Sequence, residues 1–366
     1  MSVRAPIGVV LAGGGTGGHI HPNIAVAHAL ERLSPGACRF VFVVSGRAID
    51  QRVLASATIV GEPARFEVSS AKPLSTKPVG LARFFLSWGG GVRAGRSATR
   101  MLKGGCERVV MLSTGGFVSA PAVMGARAEG VDRIVVNLDA VPGKANRLAM
   151  RFASTTLSVG AELRPIVGDL WRKLPSPAEA RQGFELDPDR RTLLVTGGSQ
   201  GARSVNRFVL ACFRELEARG GWQVVHQTGE GEQAECAAAW TDMGVRAFVS
   251  PYIDGMPRAF AAADAVVCRG GAGTVADLWA SGKPAVILPY PYHRDRHQAL
   301  NAKPLADAGG AIVVEDLIDP ARNAASYGDA LRVLLDDTHR QAMVRAMSEL
   351  GPADGAEQLA GLILAG

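Results

Sequence analysis

Two stretches half the chain apart share one pattern: an apolar run, a glycine-rich turn and the opening of a helix. The first is VVLAGGGTGGHIHPN (residues 9–23) and the second LLVTGGSQGARSVN (193–206). In a doubly wound α/β sheet this pattern is the first strand-to-helix turn, beyond which ligands bind. Two copies predict two Rossmann-like domains. The rest of the chain agrees. Short continuous apolar runs alternate with helical stretches: RFVFVVS (39–45), RVVMLS (108–113), RIVVNL (133–138), WQVVHQTG (222–229), VRAFVS (245–250), ADAVVC (263–268) and KPAVILP (283–289). Such runs indicate parallel sheets covered on both faces. The expected fold class is α/β, with domains over 1–163 and 164–344, a link within the segment 160–189, and a C-terminal helix at about 345–366 able to pack back on the first domain.

At 366 residues, 47% apolar and 20% charged, the chain has the composition of a soluble protein with two cores. Its net charge of +6 favours phosphates or an anionic membrane surface as partners. No basic tail or aromatic–basic repeat marks a nucleic-acid binder, so none is expected. Cys38, Cys106, Cys212, Cys236 and Cys268 are scattered, with no CxxC pair, which suits a reducing compartment and excludes a zinc cluster or disulfide framework. No apolar run approaches the ~20 residues that span a bilayer, and no signal segment opens the chain.

The first turn spells G-x-G-x-x-G with Gly13, Gly15 and Gly18. A dinucleotide site wants an acid at the end of the second strand. Here that strand ends Ser45-Gly46-Arg47, which argues against NAD and leaves NADP as an oxidoreductase reading through Arg47. A Cβ-free turn still lets a ligand approach the backbone and the helix N–H groups. Pro22 suits the first helical turn, and Val26, Leu30 and Leu33 mark a buried stripe. His19 falls at the helix start, where an imidazole can take a proton near neutral pH. His21 is read as structural.

Three further stretches carry chemistry. In TGGSQGARSVN (196–206), Gly197, Gly198 and Gly201 clear a turn while Ser199 and Gln200 offer donors for a phosphate or sugar; a plain strand-to-helix turn is the alternative. In CRGGAGTVADLWASGKPAVILP (268–289), Arg269 and three glycines precede a helix from about Thr274, an anion site made of N–H groups and helix dipole. Asp277 follows, able to accept two vicinal ribose hydroxyls or merely to complement the dipole. In PYPYHRDRHQALNA (289–302), Gln298 and Asn301 suit sugar hydroxyls. Metal-ligand spacing, D-x-D after a strand, GxxxxGK[ST] and GxSxG are all missing.

Taken together, GGTGGHIHPNIAVA, STGGFVSAP, LVTGGSQGARSVN, the 268–302 region and PLADAGGA resemble the MurG family, in order, from about residue 7 to about 315. The resemblance implies a GT-B fold whose two Rossmann-like domains face each other across a cleft. It implies inverting transfer of GlcNAc from UDP-GlcNAc to the 4-hydroxyl of undecaprenyl-pyrophosphoryl-MurNAc-pentapeptide, lipid I to lipid II, without metal or cofactor. The N-terminal half would take the acceptor and the C-terminal half the donor. His19 is then the base, with Thr16, Gly17 and Gly18 beside it. Arg172 reaches the phosphates, Ser199 and Gln200 the donor, the Ile253 backbone the uracil, Ala272, Gly273, Thr274, Val275, Ala276 and Asp277 the diphosphate and ribose, and Gln298 the GlcNAc.

Several positions depart from the family. Its HEQN segment reads Val136-Asn137-Leu138-Asp139, so that Asp139 stands for the cleft asparagine, while Asn146 is kept. Asp277 stands for a glutamate, His297 for a glutamine and Gly273 for a leucine. These changes leave open a UDP-sugar transferase with another acceptor. An epimerase or a nucleotide-sugar-binding protein of the same fold is a further alternative. Residues 77–103 place Leu81, Phe84, Phe85 and Trp88 at helical spacing among Arg83, Arg93, Arg96, Arg100 and Lys103. Aromatics beside cations suit an anionic interface, and an ordinary packed amphipathic helix is the plainer reading. The resemblance implies a peripheral enzyme on the cytoplasmic face of the plasma membrane, with a wall-building complex as a further partner.

Overall fold

The computed structural model describes residues 6–366 except 16, 56, 60–61, 74–77, 199 and 216–220. Thr16 and Ser199 thus lie outside the described residues. The chain forms two compact units, Met1–Asp169 with Asp354–Gly366, and Leu170–Ala353.

In the first unit β1 (Ile7–Gly14), β2 (Cys38–Ser45), β5 (Phe66–Ser69), β6 (Arg108–Gly116), β7 (Asp132–Asn137) and β8 (Thr155–Ser158) make one parallel sheet in the order β5-β2-β1-β6-β7-β8, beside a two-stranded hairpin of β3 (Thr58–Ile59) and β4 (Glu62–Pro63). Val9 to Ala12 on β1 are wholly buried, in register with Phe40–Val43 and with Val110–Ser113. Burying each such valine or leucine contributes about 1.5–3 kcal/mol, which fixes β1 at the centre of the sheet. Helices α1 (His21–Leu33), α2 (Ala48–Ala55), α3 (Pro78–Lys103), α4 (Ser119–Ala128) and α5 (Lys144–Met150) follow their strands. Pro22 lies in the first turn of α1, and Val26 and Leu30 are buried beside Asn23 and Ala27. Leu33 departs from the expected stripe: at the last helical residue it is 53% exposed.

The second unit repeats the plan. β9 (Arg191–Thr196), β10 (Trp222–Gln227), β11 (Ala247–Ser250), β12 (Ala265–Cys268), β13 (Ala285–Ile287) and β14 (Ala311–Val313) pair in parallel in the order β11-β10-β9-β12-β13-β14. Around them lie α6 (Pro177–Gln182), α7 (Arg203–Glu215), α8 (Gln233–Asp242), α9 (Met256–Ala262), α10 (Ala272–Ser281), α11 (His297–Asp307), α12 (Pro320–Leu335) and α13 (Asp337–Ser348). The core includes an ordered polar group. The buried His226 ring accepts the Trp240 indole N–H at Nδ1 (3.0 Å) and so donates from Nε2 to Asn206 Oδ1 (3.1 Å), while burial pushes its pKa down to about 3.

The last helix, α14 (Gly355–Ala365), belongs to the first unit and packs on α1, burying Ala356, Leu359, Ala360 and Ile363. Its entry is tied by the Arg164–Asp354 ion pair and by the Gly355 N–H on the Pro165 carbonyl (3.1 Å).

Candidate functional site

The carboxyl ends of β1 and β6 in the first unit are bare backbone, and the neighbours explain why. A Cβ on Gly13 would come within 2.5 Å of the His19 carbonyl oxygen, and one on Gly15, at φ +102°, would overlap the Phe117 ring. The turn is also clamped from outside. Asp50, wholly buried in the first turn of α2, accepts the Gly15 N–H at 2.7 Å together with the N–H and hydroxyl of Ser45. Arg47 donates to the Gly15 carbonyl at 2.6 Å and lies over the Phe117 ring at 5.1 Å. This engagement corrects the NADP reading, since Arg47 serves the turn rather than a ribose phosphate. Asp50 has no place among the residues expected from motifs. Its signal is an acid just after the second strand that folds back on the turn.

His19 closes the 3-10 turn Gly17–His19 ahead of α1. Its Nδ1 lies 3.1 Å from the Thr114 carbonyl, and the Thr114 hydroxyl donates to the His19 carbonyl at 2.6 Å. A carbonyl only accepts, so Nδ1 carries the proton and Nε2 the lone pair. Burial lowers the ring's pKa below the ordinary histidine value, against the Thr114 carbonyl and the charges of Asp139 and Asp50, which raise it. The outcome is a neutral imidazole with an open basic nitrogen. Gly115, at φ +113°, leaves room for the ring: a Cβ there would stand 3.0 Å from Cε1 and Nδ1 and 3.8 Å from Asn146 Oδ1. Gly18 is exposed, and His21 is the exposed first residue of α1.

In the second unit the turn after β9 packs on the loop after β10. Gly201, at φ +73°, would overlap the Thr228 carbonyl if it bore a Cβ, and Gln200 is exposed. The buried Gln227 amide ties two loops to the end of β10: it donates to the Gly198 carbonyl (2.8 Å) and accepts the Ile253 N–H (2.9 Å). Ile253 is therefore corrected in part. Its N–H is taken within the fold, and only its carbonyl is left to meet a base.

Helix α10 starts at Ala272, two residues earlier than expected, with Gly271 as N-cap. The N–H groups of Ala272, Gly273 and Thr274 precede any intrahelical acceptor, whereas Val275 N–H already bonds the Gly271 carbonyl at 2.9 Å. Val275 and Ala276 also point into the core. The N–H groups left without a partner inside the helix are thus those of 272–274, ahead of Val275 and Ala276.

Arg269 is likewise corrected. It is 7% exposed and bonded to Asp316 (2.7 Å), the Leu288 carbonyl (2.8 Å) and Ser204 Oγ (2.7 Å), so it holds the loop rather than an anion. Asp277 is half-buried; burial raises its carboxyl to about 7, against a hydrogen bond from Trp171 that lowers it. Trp171 stacks edge-on against Phe260 at 5.5 Å, and the exposed Arg172 follows in the same 3-10 turn. Gln298 Oε1 accepts the Tyr290 N–H at 2.8 Å, which turns its amide donors outward. Asn301 donates to the Gly270 carbonyl at 3.1 Å. His297 bonds Asp295 at 2.8 Å and stacks on His293 at 4.3 Å. Among the described residues no group of three or more His, Cys, Asp or Glu is placed to hold a metal ion.

The helix read as a membrane contact, α3, is corrected in part. Phe84 is buried and Trp88 half-buried against the core, while Val79 (66%), Phe85 (65%) and Leu86 (85%) are exposed with Arg83 and Arg93. The side chain of Leu81 lies outside the described residues.

Residues 9–158 match the glycosyltransferase family 28 N-terminal domain and residues 192–349 its C-terminal domain. The chain is 38% identical to the UDP-N-acetylglucosamine–N-acetylmuramyl-(pentapeptide) pyrophosphoryl-undecaprenol N-acetylglucosamine transferase of Nocardioides sp., over 97% of each chain. It is 35% identical to that of Corynebacterium jeikeium, over 98% of this chain and 96% of the relative. Among solved structures, Acinetobacter baumannii MurG aligns over 99% of this chain and all of its own, with TM-score 0.73 and 22% identity. The Streptomyces nogalater glycosyltransferase SnogD aligns over 98% of this chain and all of its own, with TM-score 0.62 and 19% identity. Two Rossmann-like α/β units of the GT-B class, both glycosyltransferase domains in order and end-to-end identity with the curated transferases lead to one assignment: the chain belongs to glycosyltransferase family 28 and, within it, to the MurG family.

Proposed function

We infer that this chain transfers GlcNAc from UDP-GlcNAc to the 4-hydroxyl of undecaprenyl-pyrophosphoryl-MurNAc-pentapeptide, with inversion at the anomeric carbon. The observation that carries the reading is the His19 ring, held neutral with Nε2 open at the end of a bare glycine turn, in a chain 38% identical along its length to enzymes of that name. In this mechanism Nε2 takes the proton as the acceptor oxygen attacks, and UDP leaves. Gly17 and Gly18 let the acceptor approach, Asn146 and Asp139 face it, and Thr16 joins them by resemblance alone. On the donor side the N–H groups of Ala272, Gly273 and Thr274 meet the leaving diphosphate, with Arg172 as its cation. The Ile253 carbonyl accepts from uracil N3, Asp277 takes the ribose hydroxyls, the Gln298 amide donates to GlcNAc, and Gln200 and Ser199 flank the donor.

Asp277 gives the reaction a pH signature. An ionised carboxylate accepts hydroxyls better than a protonated one, and this carboxyl titrates at about 7. The KM for UDP-GlcNAc should therefore fall roughly tenfold between pH 6 and pH 8, and Asp277→Asn should flatten that dependence. A wild-type KM independent of pH would remove Asp277 from the ribose contact.

We also propose peripheral attachment to the cytoplasmic face of the plasma membrane through α3, whose exposed Val79, Phe85 and Leu86 lie among Arg83 and Arg93. A wall-building complex at that surface is a further proposed partner. No helix among the described residues is long and apolar enough to cross a membrane. Titration calorimetry tests the donor class: UDP binds and NADP does not, and the reverse would overturn the reading. Sedimentation with anionic vesicles should be lost at high salt and absent with neutral vesicles; equal binding to both would count against a basic membrane face.

A further inference from the structure

The side-chain amides beside His19 form a hydrogen-bonded chain with a direction. Asn137 Nδ2 donates to the Asp139 carbonyl, and Asn137 Oδ1 accepts from Asn146 Nδ2 at 3.0 Å. Asn146 Nδ2 also faces the Val136 carbonyl at 3.3 Å. The outer acceptors, at Asp139 and Val136, are backbone carbonyls that cannot donate, so neither amide can be turned over without setting oxygen against oxygen. Both side chains are buried, at 2% and 7% exposure. The chain ends on Asn146 Oδ1, a buried oxygen with no hydrogen-bond partner among the described residues. That oxygen and the His19 ring lie 3.8 Å and 3.0 Å from the same point, where a Cβ on Gly115 would stand. The ring atoms nearest that point are Cε1 and Nδ1. Buried polar atoms are nearly always paired, so an orphan acceptor close to the His19 ring is a place kept for a donor.

We propose that Asn137 is a positioning residue: it holds the Asn146 amide with its oxygen directed at a hydroxyl or amide N–H of the acceptor sugar, next to the hydroxyl that His19 deprotonates. This rests on the acceptor reading above. The orphan oxygen takes a hydrogen-bond donor and offers no proton to a carboxylate or phosphate. Position 137 is one where the family pattern has glutamate. A carboxylate there would accept from Asn146 but could not donate to the Asp139 carbonyl, so the two-ended lock belongs to asparagine.

Two measurements decide it. In steady-state kinetics with lipid I in detergent, Asn137→Leu should raise the KM for the lipid about tenfold, leave the KM for UDP-GlcNAc within twofold and change kcat less than threefold. Asn137→Asp, which still accepts from Asn146 Nδ2 but cannot donate to the Asp139 carbonyl, should give a lipid KM between those of the wild type and Asn137→Leu. An unchanged lipid KM in Asn137→Leu, or an equal rise in both KM values, overturns the proposal. The second measurement needs no turnover. The Asn146 side-chain amide protons, assigned by their disappearance in Asn146→Leu, should exchange slowly with water in the wild type and at least tenfold faster in Asn137→Ser. Equal protection in both overturns the positioning role. A wild type inert toward lipid I sinks the acceptor reading, while the exchange data still decide whether Asn137 holds Asn146.

Discussion

Replacing His19 with alanine lowers kcat by about 10²–10⁴-fold, the range a general base contributes, and leaves UDP affinity within twofold by calorimetry. The separation follows from the fold: His19 lies in the first unit, whereas the residues assigned to UDP contact lie in the second. The pH profile of the wild type carries the same signature. The neutral ring is the active form, and burial lowers its pKa, so kcat at saturating UDP-GlcNAc is retained as pH falls through 6.5 and is lost only below it. An acid limb of kcat centred above 6.5, or near-full turnover in His19→Ala, would assign the base elsewhere. The Thr114 carbonyl matters here because it fixes the proton on Nδ1; without that lock the ring could present N–H to the acceptor hydroxyl.

Arg269→Ala is expected to destabilise the second unit by about 3–5 kcal/mol, the cost of leaving one member of a buried pair without the other. Asp316 is 2% exposed. Its burial favours the neutral acid, yet Ser204, Asn323, the Ile318 N–H and Arg269 outweigh that and hold its carboxyl below the usual range. Once the guanidinium is gone, a carboxylate is stranded in the core. Urea unfolding followed by tryptophan fluorescence measures the loss. Arg269→Met combined with Asp316→Asn should recover part of it, because neither charge then remains. A variant that unfolds at the wild-type urea concentration but no longer binds UDP would mean that Arg269 reads the diphosphate after all.

This contrast shows where sequence reading ends. Both glycine turns and the long apolar strands follow from local pattern, because burial on both faces leaves an unbroken apolar run, whereas α10 starts two residues early and the expected helix at 345–366 divides between the end of α13 and α14. The edge strands β5, β8 and β14 do not. FEVS, TTLS and AIV are too short or too polar to stand out, as sheet edges often are. At the site, residue type was legible but engagement was not. Arg269, Arg47 and the Ile253 backbone all read as available groups, and Arg269, Arg47 and the Ile253 N–H are occupied by partners 19 to 65 residues away. Asp50 reads as an ordinary helix acid until the fold brings Gly15 to it. Phe84 and Trp88 share the helical spacing of Phe85 but face the core, since periodicity gives a stripe and not the side on which the sheet lies.

The most direct measurement incubates the full chain with UDP-GlcNAc labelled in the sugar and with lipid I in anionic vesicles, followed by separation of lipid and nucleotide products. The account predicts one label per UDP released, attached to the 4-hydroxyl of the muramoyl sugar with the anomeric configuration opposite to that of the donor. UDP release without labelled lipid, or a product that retains the donor's configuration, would contradict it.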